Sequence, residues 1–164
     1  DVYKRQATLA RAAAQAGVKL RVAGTGPLEE ELKAMPGADR IEWLGFCSGD
    51  ALWNQIKGAR ALVLPSEWYE NAPMSVLEAF ASGKPVVGAD IGGIPEMITP
   101  EIGWVFHSGN VDALAGVLAD VFARSDADIA EMGRKARVHC ATHFNRTRYI
   151  EGIETVYREL GVKF

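Results

Sequence analysis

The sequence predicts an open α/β domain: a parallel sheet covered by helices on both faces, in a Rossmann-like three-layer arrangement that ends in a helical tail. Three observations carry this prediction. Short apolar runs alternate with helical patterns of roughly ten to fifteen residues, which favours parallel pairing through right-handed crossovers. The runs at 61–64 and 86–89 are continuously apolar, as in strands buried on both faces. Turn-rich segments follow the strands at 24–27, 46–48, 65–73 and 90–96, and in such sheets ligands bind at the carboxyl ends of the strands.

Residues 7–16 are alanine-rich and helical, and Gly17 is suited to the left-handed position that ends a helix. Val18, Leu20 and Val22 alternate with Lys19 and Arg21 as a strand, and residues 28–35 resume as a helix with Glu in its first turn, as the macrodipole favours. A short strand over 41–46 ends near Gly45, and Ser48 or Asp50 can cap a helix running to about Gly58. After the strand at 61–64, Pro73 suits a first helical position, where its missing N–H costs nothing. Val76, Leu77, Phe80 and Ala81 then give that helix a buried stripe, with Glu78 off it. Strands follow at 86–89 and 103–106. Asn110 or Asp112 caps a helix to about Arg124, and from residue 127 onward the chain reads as two helices, the second capped by Asn145.

A chain of 164 residues, nearly half of them hydrophobic, has room for one full core, so a single domain over residues 7–164 is expected. Residues 1–6 carry no initiator Met, strand pattern or cap and read as a truncation or a non-native leader. The net charge of −3, with Lys and Arg scattered, argues against a nucleic-acid footprint. Cys47 and Cys140 form no C-x-x-C pair and read as free thiols of a cytoplasmic protein. No apolar run approaches the ~18 residues of a membrane helix.

The chemistry-bearing residues gather on the predicted rim. Gly24-Thr25-Gly26 opens like a dinucleotide fingerprint but lacks the third glycine, so a tight turn and a surface for a nucleotide both stay open. Gly92-Gly93 would let bare backbone approach a ligand ahead of a short helix. Glu70 and Glu78 flank the helix start at Asn71, Ala72, Pro73, Met74 and Ser75. As structural residues they are a dipole-offsetting loop acid and an exposed helix acid. As functional ones they fit a geometry in which the helix start holds phosphates, Glu78 accepts two ribose hydroxyls and Glu70 faces whatever lies beyond the phosphates. Other candidates are weaker. Asp126-Ala127-Asp128 formally matches a metal-holding D-x-D but sits where acids cap helices. His139 and His143 are read as a solvent-facing pair with no third ligand, and His107 lies at the rim.

The run 64–79, with Glu70 and Glu78 separated by seven residues, resembles glycosyltransferase family 4. Gly83-Lys84-Pro85, Gly92-Gly93-Ile94-Pro95-Glu96, the 22–28 segment and the closing 156–160 segment extend the resemblance from about Ala7 to Leu160. It implies a retaining, metal-independent hexosyltransferase of GT-B architecture, with no cofactor beyond its UDP-, GDP- or ADP-sugar donor. This chain would be its donor-binding C-terminal domain, with the acceptor-binding N-terminal domain elsewhere in the protein and any membrane contact made through that domain. By the resemblance, Glu78 binds the ribose, Glu70 faces the transferred sugar, Ala72 to Ser75 offer N–H groups to the diphosphate, and Phe46-Cys47 border the base. The family's basic clamp is where the chain departs: Lys4 falls near the register of its lysine, but Arg5 replaces the expected glycine. The fragment alone is therefore expected to be inactive. The alternatives are a sugar-nucleotide epimerase of the same architecture and a non-catalytic nucleotide-binding module.

Overall fold

The computed structural model describes residues 6–162. Five strands, β1 (Leu20–Ala23), β2 (Ile41–Gly45), β3 (Leu62–Leu64), β4 (Val86–Ala89) and β5 (Gly103–Phe106), alternate with α1 (Gln6–Ala16), α2 (Glu29–Lys33), α3 (Gly49–Gly58), α4 (Met74–Ala81), α5 (Ile94–Met97) and α6 (Val111–Ala123). The chain closes with α7 (Asp126–His143) and α8 (Arg146–Glu159). All pairing is parallel, as expected, but the sheet comes in two parts: β1 pairs with β2, and β4 lies between β3 and β5. Among the described residues β1 and β3 are not paired with each other.

The period of two along each strand sorts side chains into two cores. Val63, Val87 and Ala89 join Leu9, Ala12, Ala13, Leu114 and Leu118 from α1 and α6. Leu64 and Val86 join Val76, Phe80, Ile94 and Ala136 from α4, α5 and α7. Val18 and Leu20 enter the first cluster, so both parts of the sheet share one apolar layer. Every residue of β4 is buried, which is why its sequence is apolar without alternation.

Local rules account for most boundaries. Gly17 ends α1 at φ 69°, and the side chains of Asn110 and Asn145 accept the N–H groups of Ala113 and Arg148 at 2.9 and 3.0 Å. Several expectations need correction. Gln6 belongs to α1, while Asp1–Arg5, including Lys4, lie outside the described residues. Helix α2 stops at Lys33 rather than running to residue 35. Ser48 holds the cap position of α3 with extended backbone but makes no side-chain capping bond. Pro73 is likewise the cap residue of α4, at ψ 119°, so Met74 takes the first helical position. The stripe of α4 buries Ala79 and exposes Ala81, because helical geometry rotates residue 81 off the face set by Val76 and Phe80.

The C-terminal histidines are not both solvent-facing. His139 packs edge-on to Phe80 at 6.4 Å, lies 5.8 Å from Phe144 and stacks on His143 at 4.3 Å. Burial, with the neighbouring His143, pushes the His139 pKa down. Asp126 pairs with Arg60, and Asp128 receives the Ser125 hydroxyl at 2.7 Å while its N–H caps back onto that oxygen. Both acids thus serve the start of α7. Helix α8 buries none of its residues, consistent with a tail.

Helix α7 meets the end of α4 where a Cβ on Gly133 would lie 2.0 Å from the Gly83 carbonyl oxygen. By contrast, a Cβ on Gly116 in α6 meets open space. Gly133→Ala is therefore expected to destabilise by about 1–3 kcal/mol through overpacking, against its propensity gain. Gly116→Ala should stabilise by roughly 0.5–1 kcal/mol; urea unfolding of the pair checks both signs. For His139, the unfolded chain binds a proton more readily than the folded one, so its contribution to stability is present at high pH. It is lost as pH falls through the unfolded value of about 6.5. Thermal unfolding followed from pH 8 to 5 should show this decline, and His139→Phe should make it shallower.

Candidate functional site

The loop after β3 carries Glu70 into α4. At its base stands Ser66, a polar residue that is 0% exposed. The Ser66 Oγ accepts the Trp68 N–H at 3.2 Å and stands 3.4 Å from Oε1 of Glu70. Its carbonyl accepts the Ser108 hydroxyl at 3.2 Å, which ties this loop to the one after β5. The Glu70 N–H donates to the Trp68 carbonyl at 2.8 Å, and the Glu70 carbonyl accepts the Gly93 N–H at 2.7 Å. The acid is thus presented from a loop pinned on both sides.

Beyond it, Asn71 and Ala72 are exposed and Pro73 is buried. Met74 and Ser75 then occupy the first helical positions, where N–H groups have no intrahelical acceptor. Glu78 follows one turn after Met74 on the same side of α4, half-buried, while Val76, Ala79 and Phe80 face the core. The helix start and the two acids therefore share the carboxyl rim, as the sequence spacing requires.

Gly92 and Gly93 bring the turn after β4 against the acid loop. A Cβ on Gly92 would lie 2.4 Å from the Glu70 carbonyl oxygen, and one on Gly93 would lie 1.9 Å from that of Asn71. On that side the turn approaches the backbone of the acid loop closely. Gly24, at φ 127°, and Gly26 are different, because a Cβ on either meets open space. Their loop is pinned by the Gly24 N–H to the Gly45 carbonyl at 2.7 Å. It lines a cleft of about 220 Å³ together with Val22, Leu28, Trp43 and Gln6.

Two residues of α1 escaped the sequence reading. Gln6 borders that cleft, and the Thr8 hydroxyl lies 3.4 Å from Glu67 of the acid loop. The start of α1 thus stands between the glycine loop and the acids. A signal was available, since helices that follow parallel strands begin at the strands' carboxyl ends. On the other flank, Phe46 is exposed at the end of β2, and the Cys47 thiol contacts the Leu44 carbonyl at 3.8 Å. Trp68, Tyr69 and Met74 are also exposed on this rim.

Asp90 and His107 join the rim as a pair: Asp90 accepts the Ser108 N–H at 2.6 Å and lies 3.0 Å from Nδ1 of His107. The Ser108 N–H, then His107, hold the Asp90 carboxyl below its ordinary range. Among the described residues no three His, Cys, Asp or Glu side chains gather as a metal-binding group, and no helix is long and apolar enough to cross a membrane. A larger hollow of about 590 Å³, between Trp53, Lys57 and Arg137, opens beside Ala81 and Ser82, at the end of α4 away from the acids.

The sequence matches the family described as Glycosyl transferases group 1 over residues 2–139. It is 30% identical over 135 residues to the amylovoran biosynthesis glycosyltransferase AmsK of Erwinia amylovora, covering 76% of this chain and 33% of the relative. It is 35% identical over 121 residues to the D-inositol 3-phosphate glycosyltransferase of Mycolicibacterium gilvum, covering 73% of this chain and 26% of that protein. The chain therefore spans a third or less of these relatives. In three dimensions it matches sucrose-phosphate synthase from Thermosynechococcus elongatus with a TM-score of 0.80 at 26% identity, over 98% of this chain and 43% of the other. Anabaena HepE, crystallised with UDP, matches in fold with a TM-score of 0.81 at 20% identity, over 96% and 46%. The chain belongs to the Glycosyl transferases group 1 family, with the Rossmann-like fold of a GT-B glycosyltransferase domain.

Proposed function

We propose that this chain is the donor-binding half of a retaining, metal-independent hexosyltransferase that uses a nucleoside diphosphate sugar. The observation that carries the reading is the joint position of Glu70, the α4 start and Glu78 on the carboxyl rim, facing the same end of the fold as the open Gly24–Gly26 loop. The N–H groups at Met74 and Ser75, with the α4 dipole behind them, suit the diphosphate. Glu78, one turn in, accepts the two ribose hydroxyls, and Glu70 accepts hydroxyls of the transferred sugar. The exposed Phe46, with Cys47 behind it, borders the base, and Gly24 and Gly26 offer it bare backbone. As the glycosidic bond breaks, charge grows on the diphosphate, and donors already aimed at it lower the barrier for attack by the acceptor on the same face.

The rim also accounts for what the chain alone would lack. Its loops at 24–27, 46–48, 65–73, 90–96 and 107–109 contain no Lys or Arg, while Glu67, Glu70 and Asp90 are acidic. In this reading these loops supply no cation to neutralise a leaving diphosphate and the acceptor site lies on another domain, so the 164-residue chain binds nucleotide weakly and transfers nothing. The curated relatives are named as transferases, which favours transfer over epimerisation. The two free thiols fit a cytoplasmic domain.

Titration of the chain with UDP, GDP and ADP tests the assignment. Loss of the charge-assisted bonds in Glu78→Ala should weaken binding by about 1.5–3 kcal/mol, roughly tenfold or more, whereas Glu70→Ala should hardly change binding of a plain nucleoside diphosphate. Unchanged affinity in Glu78→Ala removes the ribose role. Sugar transfer by the isolated chain contradicts its incompleteness.

A further inference from the structure

The structure assigns Gly93 and Ser66 as positioning residues that together hold Glu70 toward the sugar, an inference that rests on the donor-binding reading above. The two act from opposite sides of the acid loop. From the loop after β4, the Gly93 N–H reaches the Glu70 carbonyl at 2.7 Å. From the loop's own base, the buried Ser66 hydroxyl sits 3.4 Å from Oε1 of the Glu70 carboxylate and accepts the Trp68 N–H. Ser108 holds the Ser66 carbonyl in turn, so the base of the acid loop is fixed by the loop after β5.

Gly93 is informative because its requirement for glycine is not conformational. Its φ is −82°, a value open to any L residue. What forbids a side chain is space: the added Cβ would lie 1.9 Å from the Asn71 carbonyl oxygen and 3.0 Å from the Asn71 carbonyl carbon. Both atoms are backbone, so no rotamer change relieves the contact, and the acid loop must lift. Gly92 differs in having φ 58° as well as a crowded Cβ, so substitution there would mix strain with displacement. An alanine at 93 therefore acts as a wedge under the segment bearing Glu70. Val76 and Phe80 anchor α4, the helix that carries Glu78, in the core where Ile94, next to Gly93, also packs.

This separates two ligand regions. Displacing the acid loop alters contact with the sugar, while the ribose and base contacts assigned to Glu78 and Phe46 stand on α4 and at the end of β2. The test measures affinities of the chain for UDP and UDP-glucose, GDP and GDP-mannose, and ADP and ADP-glucose, together with amide hydrogen exchange. For each nucleotide bound, the ratio of sugar-nucleotide to nucleotide affinity is compared among wild type, Gly93→Ala, Ser66→Ala and Gly116→Ala. The ratio should fall about fivefold or more in Gly93→Ala and Ser66→Ala, with nucleotide affinity changing far less, and stay unchanged in Gly116→Ala. Exchange across residues 66–71 should rise in Gly93→Ala while amides of β4 and α6 keep their protection. A general loss of stability would lower both affinities together and leave the ratio in place. If Gly93→Ala does not fold, Ser66→Ala, which adds no bulk, carries the same test. A preserved ratio in every folded variant overturns the positioning role while leaving the donor reading intact. Failure of wild type to bind any of the six compounds overturns the donor reading, and unchanged exchange at 66–71 in folded Gly93→Ala overturns the seating itself.

Discussion

Where the 90–96 turn crosses the acid loop, two backbones meet with no side chain between them, and the rest of the rim is arranged around that crossing. Gly92 and Gly93 bring the turn within contact of Glu70 and Asn71, and one N–H···O bond of 2.7 Å closes the gap. Glycine at both positions is needed to make the interface thin enough. The acid loop is thereby held between the loops after β4 and β5, and α4 begins at a fixed place beside it. A net hydrogen bond contributes only about 1 kcal/mol, so the arrangement depends on shape as much as on bonding.

The core explains why such a rim can be rigid. Strand β4 is buried on both faces and lies between β3 and β5, so the loops leaving these three parallel strands emerge together from one side of a packed sheet. Helix α4 is anchored by Val76, Ala79 and Phe80 in the second core, and α7 closes on its far end at Gly83 and Gly133. Only the solvent side of α4 remains for Met74 and Glu78. The Gly24 loop is carried by the other part of the sheet and is joined to the acid loop through the shared apolar layer and the start of α1.

Much of this was legible in the residues. Alternating periods set the element order, asparagines at 110 and 145 marked two helix starts, and the continuous apolar run at 86–89 announced the central strand of the triple. The carboxyl-end rule then placed Glu70, Glu78 and the glycine loops on one rim. What periodicity could not reveal was tertiary. The division of the sheet depends on which edges meet, and a proline can serve as well at the cap as in the first turn, so Pro73 was placed one position too deep. His139 reads as polar and exposed until Phe80 is brought against it. The contact of Gly92 and Gly93 with the acid loop is tertiary too, because a glycine signals close approach without naming what approaches.

The proposed donor site puts a nucleoside diphosphate across the start of α4, with its ribose at Glu78. Mapping amide chemical-shift changes in the ¹⁵N-labelled chain during titration with UDP, GDP and ADP tests it directly. Saturable changes are expected at Met74, Ser75 and Glu78, continuing to residues 24–27 and to Phe46 and Cys47. Saturable changes confined to the hollow near Trp53, Lys57 and Arg137, with the start of α4 silent, would contradict it.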